Sequence, residues 1–278
     1  MGLNWFESIL YGLISGLTDI IPVSAEAHKI ILQKIFGMSY EPELMRLLIH
    51  VAVLAALYLS SSPFIVKIAR AKRLARTPKK RRKRPLDTKS LMDFSLLKTM
   101  LLPVVLAFFF YEKASSLGNN MIVLSSLIFV NGLVLYIPQY LPGSNKDSRM
   151  LSRLDGLFMG MGGALSVVPG FSGIGVSLSI GSVCGVDKNY GLAMTLLMNV
   201  AIVIGCIIFD VKDIMSGGIG IFDISVLLQY ILSAGAAFAG TVGGIRIMRH
   251  MAKENGFTVF SYYCWGVALF TFVLNLIA

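Results

Sequence analysis

Ser15, Thr18, Asp19, Ser24, Glu26, His28 and Lys29 crowd together near the start of a chain that is otherwise strongly apolar. Asp19 stands three residues before Pro22, and Ser24 to His28 covers the turn after that proline and the start of a returning helix. Main-chain amides freed at such a break and at a helix start form an anion site, so a phosphate fits this spacing. His50, one helix later and flanked by apolar residues, either faces the same cavity or is a core histidine with a local hydrogen bond. A second candidate turn, Pro169-Gly170-Phe171-Ser172-Gly173-Ile174-Gly175, is rich in glycine. It lets main chain approach a ligand closely, and Ser172 adds a hydroxyl. Ionisable groups at membrane depth cost roughly 2.5–3.5 kcal/mol each, so they are kept for function or placed near the interface. For Glu26, His28 and Lys29 the bland alternative is a place among lipid headgroups.

The two turns belong to a line of sequence that occurs twice. Gly16-Leu17-Thr18-Asp19-Ile20-Ile21-Pro22-Val23-Ser24 returns as Gly163-Ala164-Leu165-Ser166-Val167-Val168-Pro169-Gly170-Phe171. Paired, proline-broken segments in an apolar chain point to two half-helices that meet inside a membrane. Composition agrees, with 55% hydrophobic residues, 14% charged and a mean hydropathy of +0.74. Six crossings are predicted, near 44–59, 96–111, 121–137, 190–209, 226–245 and 258–278, and all are expected to be helices because lipid cannot satisfy an open strand edge. Glu7 and the lack of a basic start argue against a cleaved signal peptide. Cys184, Cys206 and Cys264, all in apolar context, read as packing residues.

The formal charge of +10 comes almost wholly from 67–90, where a dense run of Lys and Arg faces the single acid Asp87. Between two crossings this is a cytoplasmic loop beside anionic lipid, and nucleic acid is not expected as a partner. With that loop inside, 139–155 also falls inside and the acidic 210–223 falls outside, provided that 5–37 and 156–185 are re-entrant hairpins. The expected architecture is therefore an all-α integral membrane protein in one domain, with an inverted-topology repeat. Each half, approximately 1–138 and 139–278, is a re-entrant hairpin plus three transmembrane helices. The Gly235-x-x-x-Ala239 and Gly240-x-x-x-Gly244 spacings are assigned to helix packing.

At these motifs the chain resembles the undecaprenyl-diphosphate phosphatase family of bacterial membranes, called BacA or UppP. The family motif E-G-L-T-E-F-L-P-x-S-S-x-G-H aligns with Ser15 to His28, and P-G-x-S-R-S-G aligns with Pro169 to Gly175. The resemblance implies an inverted-repeat fold in the bacterial plasma membrane with a site open to the outer face. It also implies hydrolysis of undecaprenyl diphosphate to undecaprenyl phosphate, a lipid-carrier recycling step for peptidoglycan synthesis. Within that scheme His28 is nucleophile or acid/base group, and Asp19 orients it or holds Mg2+ or Ca2+. Ser24 and Ser172 donate to phosphate, with Gly170, Gly173, Glu26, Lys29 and His50 on the substrate side. A homodimer is compatible with the chain.

Departures from the motifs are substantial. Ser15 stands for the first glutamate, Asp19 for the second, Ala25 for the second serine and Gly173 for the arginine. Loss of a bidentate guanidinium removes stabilisation of developing charge, and Lys29 or Arg46 is the candidate replacement. A non-catalytic protein that binds or flips a polyprenyl phosphate is the alternative expectation.

Overall fold

The structure, a computed structural model, describes residues 3–82, 84–141, 145–217, 224–254 and 256–277. Lys83 of the basic segment and Asp223 of the acidic one lie outside the described residues. Local chemistry sets the first two helices. Asn4 and Glu7 cap one another's main chain to start α1 (Trp5–Thr18), which ends in a turn before Pro22. Ser24 then caps α2 (Ala25–Ile35). The second copy repeats this construction. Ser152 and Asp155 form the capping box of α7 (Arg153–Ala164), a short 3-10 turn Leu165–Val167 leads to Pro169, and Ser172 caps α8 (Gly173–Val183).

The remaining helices are α3 (Glu43–Arg76), α4 (Thr88–Phe108), the short α5 (Tyr111–Ser115), α6 (Met121–Tyr136), α9 (Lys188–Gly217), α10 (Ile224–Glu254) and α11 (Val259–Ile277). Six of them, α3, α4, α6, α9, α10 and α11, are long and apolar enough to cross a bilayer. The chain is a multi-pass, all-α membrane protein. At roughly 1.5 Å rise per residue, α1, α2, α7 and α8 each fall short of the ~30 Å hydrocarbon core.

Two expected boundaries are corrected. The first half of the basic segment is helical, since α3 runs on to Arg76. Likewise α9 continues two turns past Phe209, so Asp210 and Asp213 belong to a helix and not to an outer loop. Their carboxylates are taken up by Arg46 on α3, which stabilises the extension.

Packing pairs the helices in a regular way. α1 lies along α10, α7 lies along α4, α6 lies on α11, and α3 contacts both α9 and α10. Glycine allows the first two approaches: a Cβ on Gly16 would fall 2.0 Å from the Ala237 carbonyl oxygen, and one on Gly160 would fall 2.1 Å from that of Met100. Of the four positions assigned to helix packing, Gly240 and Gly244 do meet α1, whereas Gly235 faces open space. The largest core joins both short-helix pairs through Ile20, Val23, Ile128, Ile174 and Leu178. On the basic side, Arg149 and Lys89 hold the Asp147 carboxyl well below the usual carboxylate range and tie the start of α4 to the loop before α7.

Candidate active site

The two proline turns meet tip to tip. Ser24 takes φ +66, alone among described non-glycine residues in having positive φ, and its Oγ accepts from the Gly170 amide at 2.9 Å. Gly170 itself takes φ +102, a conformation that glycine tolerates freely. Asn131, fully buried on α6, joins the turns a second time: its Nδ2 donates to the Pro22 carbonyl at 3.2 Å, and its Oδ1 accepts from the Ser172 amide at 3.0 Å. Serine strain and buried amide bonds therefore lock the two turns in register.

Beside this junction lies a narrow cavity of about 70 Å³. Asp19, Ala25, Glu26 and Lys29 line it from the first pair, Ser166, Ser172 and Gly173 from the second, and His50, Asn199, Tyr111 and Cys206 from the surrounding helices. The first turns of α2 and α8 both open on it, which presents two helix N-termini to one small volume. The Ser166 Oγ is buried without a hydrogen-bond partner among the described residues.

A network of charge runs outward from the cavity. Lys29, 3% exposed, sits with its ammonium 3.4 Å from Glu26 and 3.9 Å from Glu41, and donates to His50 Nε2 at 3.3 Å. His50 Nδ1–H in turn donates to Asp210 at 2.6 Å, and the other Asp210 oxygen receives Arg46 at 2.7 Å. Arg46 continues to Asp213 at 2.5 Å. Asp210 thus fixes the imidazole tautomer and leaves the Nε2 lone pair directed at Lys29. Asp19 accepts from Asn199 at 3.0 Å.

The candidate residues divide into two groups. Asp19, Glu26, Lys29, His50, Ser172 and Gly173 share the cavity, whereas Ser24, His28 and Gly170 stand behind it in the turn junction. The His28 Nδ1–H donates to the Ser24 carbonyl at 2.8 Å, and its Nε2 accepts from the Tyr263 hydroxyl at 2.9 Å with the two rings stacked. With both nitrogens engaged away from the cavity, His28 holds the start of α2 in place in this structure. Ser24 likewise spends its oxygen on main-chain donors. Arg46 is drawn off by Asp210 and Asp213, which leaves Lys29 as the cation at the cavity wall. Sequence reasoning missed Asn131, Asn199, Asp210 and Ser166 as site residues, and Cys206, read as packing, reaches the wall as well.

The family model described as "Bacitracin resistance protein BacA" matches residues 8–270. The chain belongs to the BacA family. It is similar to the undecaprenyl-diphosphatase of Carboxydothermus hydrogenoformans, at 26% identity over 98% of each chain. The undecaprenyl-diphosphatase of Methanobrevibacter smithii is 26% identical over 96% of each chain. Undecaprenyl-diphosphatase 1 of Shouchella clausii is 23% identical over 98% of this chain and 97% of its own.

Seen in three dimensions, the departures from the BacA motifs are structural as well as chemical. At Gly173 an added Cβ would fall 2.8 Å from the Gly163 carbonyl oxygen and 2.8 Å from the Ser166 Cβ. Main chain has closed over the space a longer side chain would need, so restoring arginine there requires the 165–167 turn to move. Ser15 turns its hydroxyl back to the Tyr11 carbonyl at 2.7 Å, within its own helix. Ala25 gives the cavity only a methyl group. Positive charge enters instead from α2, at Lys29.

Asp19 and Glu26 both reach the cavity, and two carboxylates completed by phosphate oxygens make a donor set suited to a hard divalent cation. Among the described residues no cluster of three or more His, Cys, Asp or Glu side chains with metal-binding geometry is present, so protein groups supply only part of such a shell.

Proposed function

We propose that the protein hydrolyses undecaprenyl diphosphate at this cavity, releasing inorganic phosphate and leaving undecaprenyl phosphate. The observation that carries the proposal is the convergence, in a BacA-family chain, of two helix N-termini, Lys29 and the His50–Asp210 pair on one small buried volume. In this reading the terminal phosphoryl group lies between the first turns of α2 and α8, with Ser172 and the unpartnered Ser166 hydroxyl as donors. Lys29 moves from His50 to the phosphate oxygens and takes over charge neutralisation from the lost arginine. Its departure frees His50 Nε2 to accept a proton from the attacking water, while Asp210 stabilises the imidazolium. The new P–O bond forms to water oxygen, and the bond from phosphorus to the bridging oxygen breaks. Undecaprenyl phosphate leaves with that electron pair. A divalent cation of the Mg2+ or Ca2+ class, held by Asp19 and Glu26, would neutralise charge on the bridging oxygen.

The finer architecture belongs to the same proposal. α1/α2 and α7/α8 are re-entrant hairpins of an inverted repeat, the cavity faces the outer side, and the basic segment lies on the inner side of the plasma membrane. Support comes from the matched packing, in which α1 meets the second crossing of the second half and α7 meets the second crossing of the first. The repeated cap, proline and serine order adds to it.

Ala25 and the closed space at Gly173 favour one rival, a protein that binds a polyprenyl phosphate without cleaving it. Phosphate release from undecaprenyl diphosphate by purified protein, with and without Mg2+ or Ca2+, separates the two. Release that falls about 100-fold or more in Asp19→Asn is expected. No release under any metal would reject hydrolysis and leave the binding role.

A further inference from the structure

A second cavity, of about 410 Å³, lies between α3, α9 and α10, toward the basic end of those helices. Lys67 is 17 residues beyond His50 on α3, which at ~1.5 Å per residue puts it about 25 Å along the helix from the first site. Lys67, Arg249 and Lys253 bring three positive charges to this cavity from two helices. Ser60, Ser61 and Asn189 add polar groups, and Leu192, Leu196 and Phe64 form an apolar wall. Pro63 lies on the lining, where its missing main-chain donor leaves the Leu59 carbonyl to the Ser62 hydroxyl at 2.9 Å. Arg249 bridges α10 to α3 by donating to the Ser60 hydroxyl at 2.8 Å and to its carbonyl at 3.2 Å.

The cations of this cavity share with Arg70, Lys72, Arg73 and Arg76 of the same basic side the lack of a carboxylate in ion-pair contact among the described residues, but here they converge from two helices on one apolar-walled volume. Lys29, Arg46, Lys89, Arg149 and Lys212 each have a carboxylate partner, whereas among the described residues Lys67, Arg249 and Lys253 have none within ion-pair distance. Three unpaired cations over an apolar wall, between helices that cross the bilayer, match a ligand with a phosphate head and a hydrocarbon tail. A free phosphate would gain nothing from the leucines.

We infer that this cavity binds the phosphate headgroup of an anionic lipid drawn from the leaflet on the basic-loop side, independently of the hydrolytic site. Its recognition rests on Lys67, Arg249 and Lys253, with Ser60 and Ser61 as further donors.

Native mass spectrometry of the purified protein, given equal phosphatidylglycerol and phosphatidylcholine, tests the inference without reference to catalysis. One phosphatidylglycerol retained about tenfold or more over phosphatidylcholine is expected, with the preference lost in K67Q/R249Q/K253Q and kept when Lys79, Lys80 and Arg81 of the loop are changed to Gln. Should the triple variant fail to fold, K67Q/K253Q keeps the Arg249 bridge and is expected to lower the preference at least threefold. Equal retention of the two lipids, an unchanged preference in a folded variant, or loss of preference in the loop variant would overturn the inference. Displacement of the lipid by millimolar inorganic phosphate would also overturn it, since the site would then be one for the free ion.

Discussion

Both short-helix pairs stop before a proline and restart on a serine cap, yet only the first brings charge to the cavity. Asp19, Glu26 and Lys29 come from the α1–α2 side, while the α7–α8 side offers Ser166, Ser172 and the main chain around Gly173. The cavity thus has a charged half and an amide-and-hydroxyl half. The division has a physical basis. A buried ammonium is tolerable where carboxylates and an imidazole surround it, and those partners are Glu26 on α2 itself and Glu41 and His50 beside it. Next to Gly173 the neighbours are a carbonyl oxygen and a serine, and no space remains for a long cation.

The largest expected effect comes from removing that ammonium. Lys29→Met leaves the Glu41 carboxylate buried without its counter-charge, and the expected cost is about 3–5 kcal/mol of stability, read as a lower thermal midpoint in detergent. A midpoint within a degree of the parent would show that the charged half does not depend on Lys29. Next in size is the seam between the halves. Asn131→Leu strips the Pro22 carbonyl and the Ser172 amide of their partner, with about 2–4 kcal/mol lost and slower phosphate release even though residue 131 does not line the cavity. Unchanged stability would mean that the two turns hold their register by packing alone. Smallest in stability is Ser166→Ala on the amide half. Its hydroxyl has no partner to lose, so the midpoint should move by no more than about 0.5 kcal/mol equivalent, while the rate falls about tenfold or more. An unaltered rate would remove Ser166 from the site.

Much of this architecture was legible before any coordinates. Apolar runs marked the six long helices, because runs so long and so poor in charge have the composition of bilayer-crossing segments. The prolines marked both turns, and the clustering of Asp19, Glu26 and Lys29 marked the charged half. Less legible were lone polar residues on distant apolar helices. Asn131, Asn199 and Asp210 each occupy an ordinary place in a greasy run, and only packing across more than a hundred residues of chain gives them partners. Asp210 was further disguised as part of an acidic loop, because nothing local indicates that Arg46 will carry α9 past Phe209. The direction of the His28 side chain was equally hidden, since Tyr263 on the last helix sets it.

Two histidines now divide the account between them. His50 faces the cavity with Asp210 behind it, and His28 faces Tyr263. The decisive measurement is the rate of phosphate release from undecaprenyl diphosphate by His50→Gln and His28→Ala, side by side at saturating substrate. Glutamine at 50 keeps a polar side chain beside Lys29 but cannot take a proton, so kcat should drop about 100-fold or more with KM little changed. His28→Ala should lower kcat less than about tenfold. The opposite order, with His28→Ala inactive and His50→Gln near the parent rate, would contradict the assignment of proton transfer to the His50–Asp210 pair.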